Sequence, residues 1–334
     1  MFIPKNIIIE EKALDYKTGK NIYDFFKIQN IPIKISKTSR TGPLGDTPAE
    51  IYRAGKSTLI VGLRKKAKFQ SCKPSAHYQL PLVSGCMGMC EYCYLNTQMG
   101  KRPYTKVHVN IQDLLNQAKD YSLERGNEIT IFEGAATSDP IPVEPYTNAL
   151  KDTIEFMGKE EFMRFRFVTK FTEVDSLLHA NHNGHTEIRF TLNTNDVIRN
   201  FEHKTPSFEE RIHAARRTYN SGYKVGILIA PVFLYDDWQN RYAELIKLIH
   251  NYLPFNNITF EIITHRYTST AKNIILDIFP KTTLPMNDEK RQFKFGQFGY
   301  GKYVYSKDDL SKVKEFFFSE LTKYYPKENI LYVI

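Results

Sequence analysis

The stretch SGCMGMCEYCYLNTQ, residues 84–98, decides how this chain is read, because it carries Cys86, Cys90 and Cys93 at C-x-x-x-C-x-x-C spacing. Three thiolates on one short loop can hold three irons of a [4Fe–4S] cube. The fourth iron then has no ligand from the loop, and an open iron is a place where a small molecule can bind and react. A structural zinc site asks for four ligands, usually as two close pairs separated by a longer gap. Only Cys72 could complete such a set here. A secreted disulfide framework fits poorly, since four cysteines in 334 residues follow no secretory leader. Metal binding is the reading that the spacing favours.

Outward from that loop, the composition is that of a folded protein: 42% hydrophobic against 25% charged residues leaves no case for bulk disorder. No apolar run approaches the roughly 18 residues that span a bilayer. The opening MFIPKNIIIEEKAL turns acidic straight after its apolar patch, so a soluble, cytoplasmic enzyme with no membrane partner is expected. A formal charge of +9 is a moderate excess. Two segments turn it toward a polyanion. Arg64, Lys65, Lys66 and Lys68 form a basic run before Cys72. Lys290, Arg291, Lys294 and Lys302 are interleaved with Phe293, Phe295, Phe298, Tyr300 and Tyr303. Cations for phosphate and rings for base stacking are what a nucleic-acid groove needs. The stretch AGKSTL, residues 54–59, is not a phosphate loop, because Glu50 stands where the motif needs glycine.

After the cysteines, strand-like and helical stretches alternate. Strands are expected at 79–83, 128–132, 164–169, 187–192, 225–230 and 258–263. Helices are expected at 112–124, 143–157, about 174–179, 207–219 and 238–252. Ser207 and Glu210 form a capping box that opens the fourth helix. The run VGILIA, residues 225–230, is apolar throughout, as a strand buried on both faces should be. Six strands alternating with helices imply a parallel sheet with right-handed crossovers, closed as a partial (β/α)6 TIM-type barrel. The α/β fold is expected to have three parts: an N-terminal α/β addition (1–75), the barrel (76–284), and an extension (285–334) of a β-hairpin, a helix (306–324) and a strand (330–333). Chemistry in such barrels collects at the C-terminal ends of the strands. That rule selects the cysteine loop, residues 133–139, Lys170, Asn193, Thr194, Ala230, Pro231, His265 and Arg266.

The triplet, with Tyr92 before the third cysteine, resembles the signature of the radical S-adenosylmethionine enzymes. Several ordered segments narrow the resemblance: KPSAHYQLPL (73–82), the cysteine loop, FEGAATSD (132–139), RFVTKF (166–171) and GQFGYGKYVY (296–305) are similar to spore photoproduct lyase. The resemblance implies a cluster on Cys86, Cys90 and Cys93, and S-adenosylmethionine surrounded by Tyr92, Ser138, Lys170, Thr191, Asn193 and Ala230. It implies repair of the methylene-bridged thymine dimer in ultraviolet-damaged DNA. A 5′-deoxyadenosyl radical removes a hydrogen atom, the bridge bond breaks, and a thiol returns a hydrogen atom. An external electron donor such as flavodoxin or ferredoxin is implied as well.

Two departures from the family pattern matter. The family donor cysteine lies in a segment like EAACTSD, and this chain has Ala136 at that place. Cys72 is the thiol left outside the triplet and is expected to be the donor, as an exposed, cation-flanked cysteine. Tyr92 and Tyr94 are the next candidates. The lesion hairpin often reads Gly-Arg-Tyr-Gly, and here Gln297 and Phe298 occupy its centre. Phe298 can still wedge between bases. Phosphate holding then rests on Arg266, Lys294 and Lys302. Two rivals remain at this point: another radical enzyme acting on nucleic acid, and a zinc-stabilised nucleic-acid-binding module without catalysis.

Overall fold

Apolar runs long enough for strands, separated by amphipathic helices, assemble into two large sheets, beside two two-stranded ones. The computed structural model describes residues 1–295, 299 and 301–334, so Gln297 and Phe298 lie outside the described residues. The larger sheet contains six parallel strands in sequence: Ala76–Gln79, Thr130–Glu133, Met163–Thr169, Thr186–Leu192, Lys224–Val232 and Thr259–Thr264. Ile330–Val333 adds a parallel strand at one edge, beside Thr259–Thr264. Ser71–Cys72 adds an antiparallel one at the other edge, beside Ala76–Gln79. The two edges do not pair with each other, so the barrel is partial. Its wall is dry: Phe165, Phe167, Ile188, Phe190, Ile227, Ile229, Phe260 and Ile262 are all buried.

Three local expectations need correction. The first barrel strand is Ala76–Gln79 and not 79–83, because Pro81 interrupts that run and Val83–Ser84 pairs with Thr105–His108 in the other sheet. The stretch expected as one helix at 143–157 is two, Glu144–Thr147 and Ala149–Met157, divided at Asn148, whose backbone is left-handed (φ 53°). Around 174–179 the chain forms successive turns without a helix. Elsewhere the helices stand where periodicity puts them, and Ser207 and Glu210 close the capping box on Phe208–Asn220.

The smaller sheet orders Ile33–Ser36, Asn6–Glu10, Thr58–Gly62, Thr105–His108 and Val83–Ser84. It crosses the expected boundary at residue 75, since two of its strands come from beyond it. This arrangement matters for the site, because Val83–Ser84 leads directly into the cysteine loop and anchors that loop on a second sheet. In the extension, Gln292–Phe295 and Gly301–Val304 form the expected antiparallel hairpin, followed by helix Lys307–Leu321. Among the described residues no helix is long and apolar enough to cross a membrane.

Candidate active site

The cysteine loop is fastened at nearly every residue. Gly85 has φ +76°, and a Cβ there would lie 2.3 Å from the Tyr104 carbonyl oxygen, so only glycine can turn the chain at that point. Its amide donates to the Thr137 carbonyl at 2.9 Å, tying the loop to the segment after the second barrel strand. Lys56 Nζ donates to the Cys86 carbonyl at 2.7 Å. Met89–Cys90 pairs antiparallel with Glu202–His203, and the buried Asn96 amide donates to the carbonyls of Cys90 (3.1 Å) and Glu91 (3.2 Å). Glu91 accepts from Thr282 and pairs with His203 Nε2 at 2.8 Å.

The three thiols fit a cluster. Burial pushes Cys86 up to about 12, although Lys56 pulls the other way, and burial raises Cys90 as well, against the pull of Lys170. Metal binding requires thiolates, and bound iron would add to the positive charge that Lys56 and Lys170 already bring to the loop. Among the described residues no three His, Cys, Asp or Glu side chains close on a point where one ion would sit. A cube does not ask for that, because each thiolate takes its own iron.

Beneath the loop lies a buried ion cluster that the sequence did not reveal. Glu202 pairs with Arg211 at 2.6 Å, both side chains fully buried, and accepts from the Tyr92 hydroxyl. Lys170 Nζ stands 5.7 Å from the Tyr92 ring centre. Burial works against the Lys170 charge, but Glu202 and Cys90 outweigh it and keep the ammonium protonated. Asp139 fixes the backbone beside Lys170: its carboxylate accepts from the Lys170 amide (2.9 Å) and from Thr169 Oγ1 (2.7 Å). Burial nevertheless raises Asp139 to about 6.

The other residues expected around a small ligand meet at the same end of the sheet. Ser138 bridges Gly85 through the backbone. Thr191 is buried and its carbonyl accepts from Arg211 at 3.1 Å. Asn193 uses its amide on the fold, donating to the Pro231 carbonyl at 2.8 Å and accepting from Thr194 N and Tyr242. Ala230 precedes Pro231 near the end of its strand.

Cys72 departs from its expected character. It is half-buried rather than exposed, and burial together with Glu133 pushes its thiol up to about 11, against Arg189 and Arg166. Tyr94 joins the two halves of the site. Its hydroxyl donates to the carbonyl of Ala136, while the residue is otherwise largely exposed.

The hairpin is attached by rings. Tyr267 and Tyr303 exchange backbone hydrogen bonds and stack with centres 5.3 Å apart. Arg291, expected in a nucleic-acid groove, is instead an anchor. Its guanidinium lies 3.6 Å from the Tyr305 ring centre and donates to the His265 and Pro285 carbonyls. Burial and the charge of Arg266 lower Lys302. Phe293 and Phe295 are 53% and 73% exposed, an unusual state for rings this large.

A parallel partial barrel with three cysteines braced on the loop after its first strand defines a radical S-adenosylmethionine enzyme. The family model for spore photoproduct lyase matches residues 2–334. Over 331 residues the chain is 53% identical to the spore photoproduct lyase of Clostridium acetobutylicum, covering 99% of this chain and 98% of that one. It is 41% identical to the enzyme of Bacillus subtilis at the same coverage. A solved spore photoproduct lyase complexed with dinucleoside spore photoproduct superposes with a TM-score of 0.95 at 41% identity, covering 100% of this chain and 99% of that one. A double mutant of such an enzyme, alanine for cysteine and cysteine for serine, with AdoMet and the same ligand bound, matches equally well. This chain belongs to the spore photoproduct lyase family.

Proposed function

We propose that this chain reverses the methylene-bridged thymine dimer of ultraviolet-damaged DNA to two thymines. The observation that carries the reading is the braced three-cysteine loop at the mouth of a barrel that matches the family from end to end. Its cofactors are a [4Fe–4S] cluster on Cys86, Cys90 and Cys93 and S-adenosylmethionine, which together supply a 5′-deoxyadenosyl radical when bound. Lys170 stays charged and offers an ammonium to a carboxylate. Ser138 and Thr191 offer hydroxyls, Asn193 the amide hydrogen not given to Pro231, and Ala230 a wall.

Cys72 closes the reaction. A hydrogen-atom donor must still carry its hydrogen, and a thiol raised to about 11 remains S–H at neutral pH. In this step the S–H bond breaks, a C–H bond forms on the thymine radical, and the unpaired electron passes to sulfur. Tyr94, whose hydroxyl donates to the carbonyl of Ala136, is the next candidate for that hydrogen atom. The two positions changed in the double mutant are separated by the same number of residues as Cys72 and Ala136, which supports an exchange of donor site.

Arg266, Lys302 and the exposed rings of the hairpin hold the flanking DNA, and Gln297 and Phe298 belong to the same stretch of sequence. Extruding a damaged base from a duplex costs a few kcal/mol, and a wedge offsets that cost. The enzyme works in the cytoplasm with a flavodoxin or ferredoxin as its electron source. Anaerobic incubation with S-adenosylmethionine, a reductant and the dinucleoside lesion tests the whole reading. Thymine and 5′-deoxyadenosine formation are expected, and a reconstituted iron–sulfur protein that leaves the lesion intact would overturn it.

A further inference from the structure

A second buried ion cluster lies inside the barrel, away from the cysteine loop. Arg189 pairs with Glu133, and with Glu261 at 3.0 Å. Arg166 pairs with Glu261 at 2.5 Å and with Glu187 at 3.2 Å. Tyr332 donates to Glu261 at 2.7 Å. The register sets Gln79, Glu133, Arg166 and Glu187 side by side on four neighbouring strands. Taking so many charges out of water is expensive, and an apolar filling of the same volume is often as stable or more so. Stability alone therefore does not account for the cluster.

Its outer contacts do. Arg166 Nη1 donates to the Ser75 carbonyl at 2.8 Å, and Ser75 Oγ donates to Glu133 Oε2 at 3.0 Å. Ser75 sits in the tight turn that begins at Cys72. The other oxygen of Glu133 accepts from the Ala135 amide at 3.2 Å, one residue before Ala136. One carboxylate thus fixes both the turn that carries the thiol here and the segment that carries the donor in the family pattern.

We propose that Arg166 and Glu133, acting through Ser75, are positioning residues that hold the Cys72 thiol within reach of the substrate radical. The inference rests on Cys72 being the donor. Neither is among the residues assigned to the cofactors or the lesion. Their effect falls on where the radical ends, and formation of the radical does not depend on them.

The test compares Ser75→Ala and Arg166→Lys with the parent as reconstituted holoenzymes. 5′-Deoxyadenosine formation and the ratio of thymine to off-path products are read in a single turnover. Both variants should keep iron content and 5′-deoxyadenosine formation, while clean thymine falls on the order of tenfold to a hundredfold, as expected when a reacting group moves by about 1 Å. In a Cys72→Ala, Ala136→Cys background the donor no longer rides on the turn, and Ser75→Ala should leave the product ratio unchanged. Should Arg166→Lys not fold, Ser75→Ala decides. Cys72→Ala run beside them separates the two ideas. Clean thymine from Cys72→Ala would remove the donor itself. Misrouted product from Cys72→Ala, with the parental ratio from both positioning variants, would overturn this inference alone. An equal shift in both backgrounds would mark a merely structural role and overturn it too.

Discussion

The two buried ion clusters use the same residue types for different ends. Lys170, Glu202 and Arg211 form a closed group beneath the cysteine loop, and the Glu202–Arg211 pair has no exposed side-chain surface. Glu133, Arg189, Glu261 and Arg166 form an open group whose last hydrogen bonds reach the backbone of the Cys72 and Ala136 segments. On the proposed reading, the first supports the place where the radical begins and the second the place where it ends.

The largest expected effect lies at the first site. Changing Cys86, Cys90 or Cys93 to Ala should abolish iron loading and S-adenosylmethionine cleavage together. Any such variant that cleaves at the parental rate would break the cluster assignment.

Next comes the contrast between supports. Glu202→Gln leaves Arg211 buried without its carboxylate and removes the charge that favours the Lys170 ammonium, a loss of about 3–5 kcal/mol for a broken buried pair. It should lower both the thermal midpoint and the iron retained. Glu261→Gln should also destabilise, yet keep its iron once folded and misroute the product. Equal iron loss in the two variants would erase the distinction between the clusters.

Smaller still is the reactivity of Cys72 in the cluster-loaded enzyme. A thiol raised from 9.0 to about 11 carries roughly a hundredfold less thiolate at neutral pH, so alkylation should be slow and should climb until the pH passes about 11. Alkylation that levels off near pH 9 would mean an ordinary thiol. At the hairpin, Phe295→Ala should weaken duplex binding by about 1–3 kcal/mol, the worth of one stacked base, with little change on the dinucleoside. Lys302→Ala should reduce the salt slope of duplex binding by about 1. Equal losses on duplex and dinucleoside would remove the hairpin from DNA binding.

Much of the barrel was legible in the sequence because short, β-branched apolar runs such as VGILIA alternate with amphipathic stretches, as strands buried on both faces do. The cysteine loop was legible because ligand spacing is local. Misreadings arose where local signals competed. Apolar residues after Gln79 suggested one strand, while Pro81 divides them between two sheets. Glu144–Met157 has helical periodicity, but Asn148 turns left-handed within it. The ion clusters were illegible for a different reason. Arg166 and Glu261 stand 95 residues apart, and only strand register brings them together. The thiol of Cys72 was misjudged in the same way. Its neighbours in sequence, Ser71, Lys73 and Ser75, are polar, whereas its surroundings in space are largely buried.

The central claim, that Cys72 delivers the last hydrogen atom, is tested most directly by repair in deuterated water. The thiol exchanges its hydrogen with solvent, so the parent should place one deuterium in the repaired thymine methyl group. Cys72→Ala should still form 5′-deoxyadenosine but give off-path products in place of clean thymine, and adding Ala136→Cys should restore part of the deuterated thymine. Clean, deuterated thymine from Cys72→Ala at the parental rate would contradict the account.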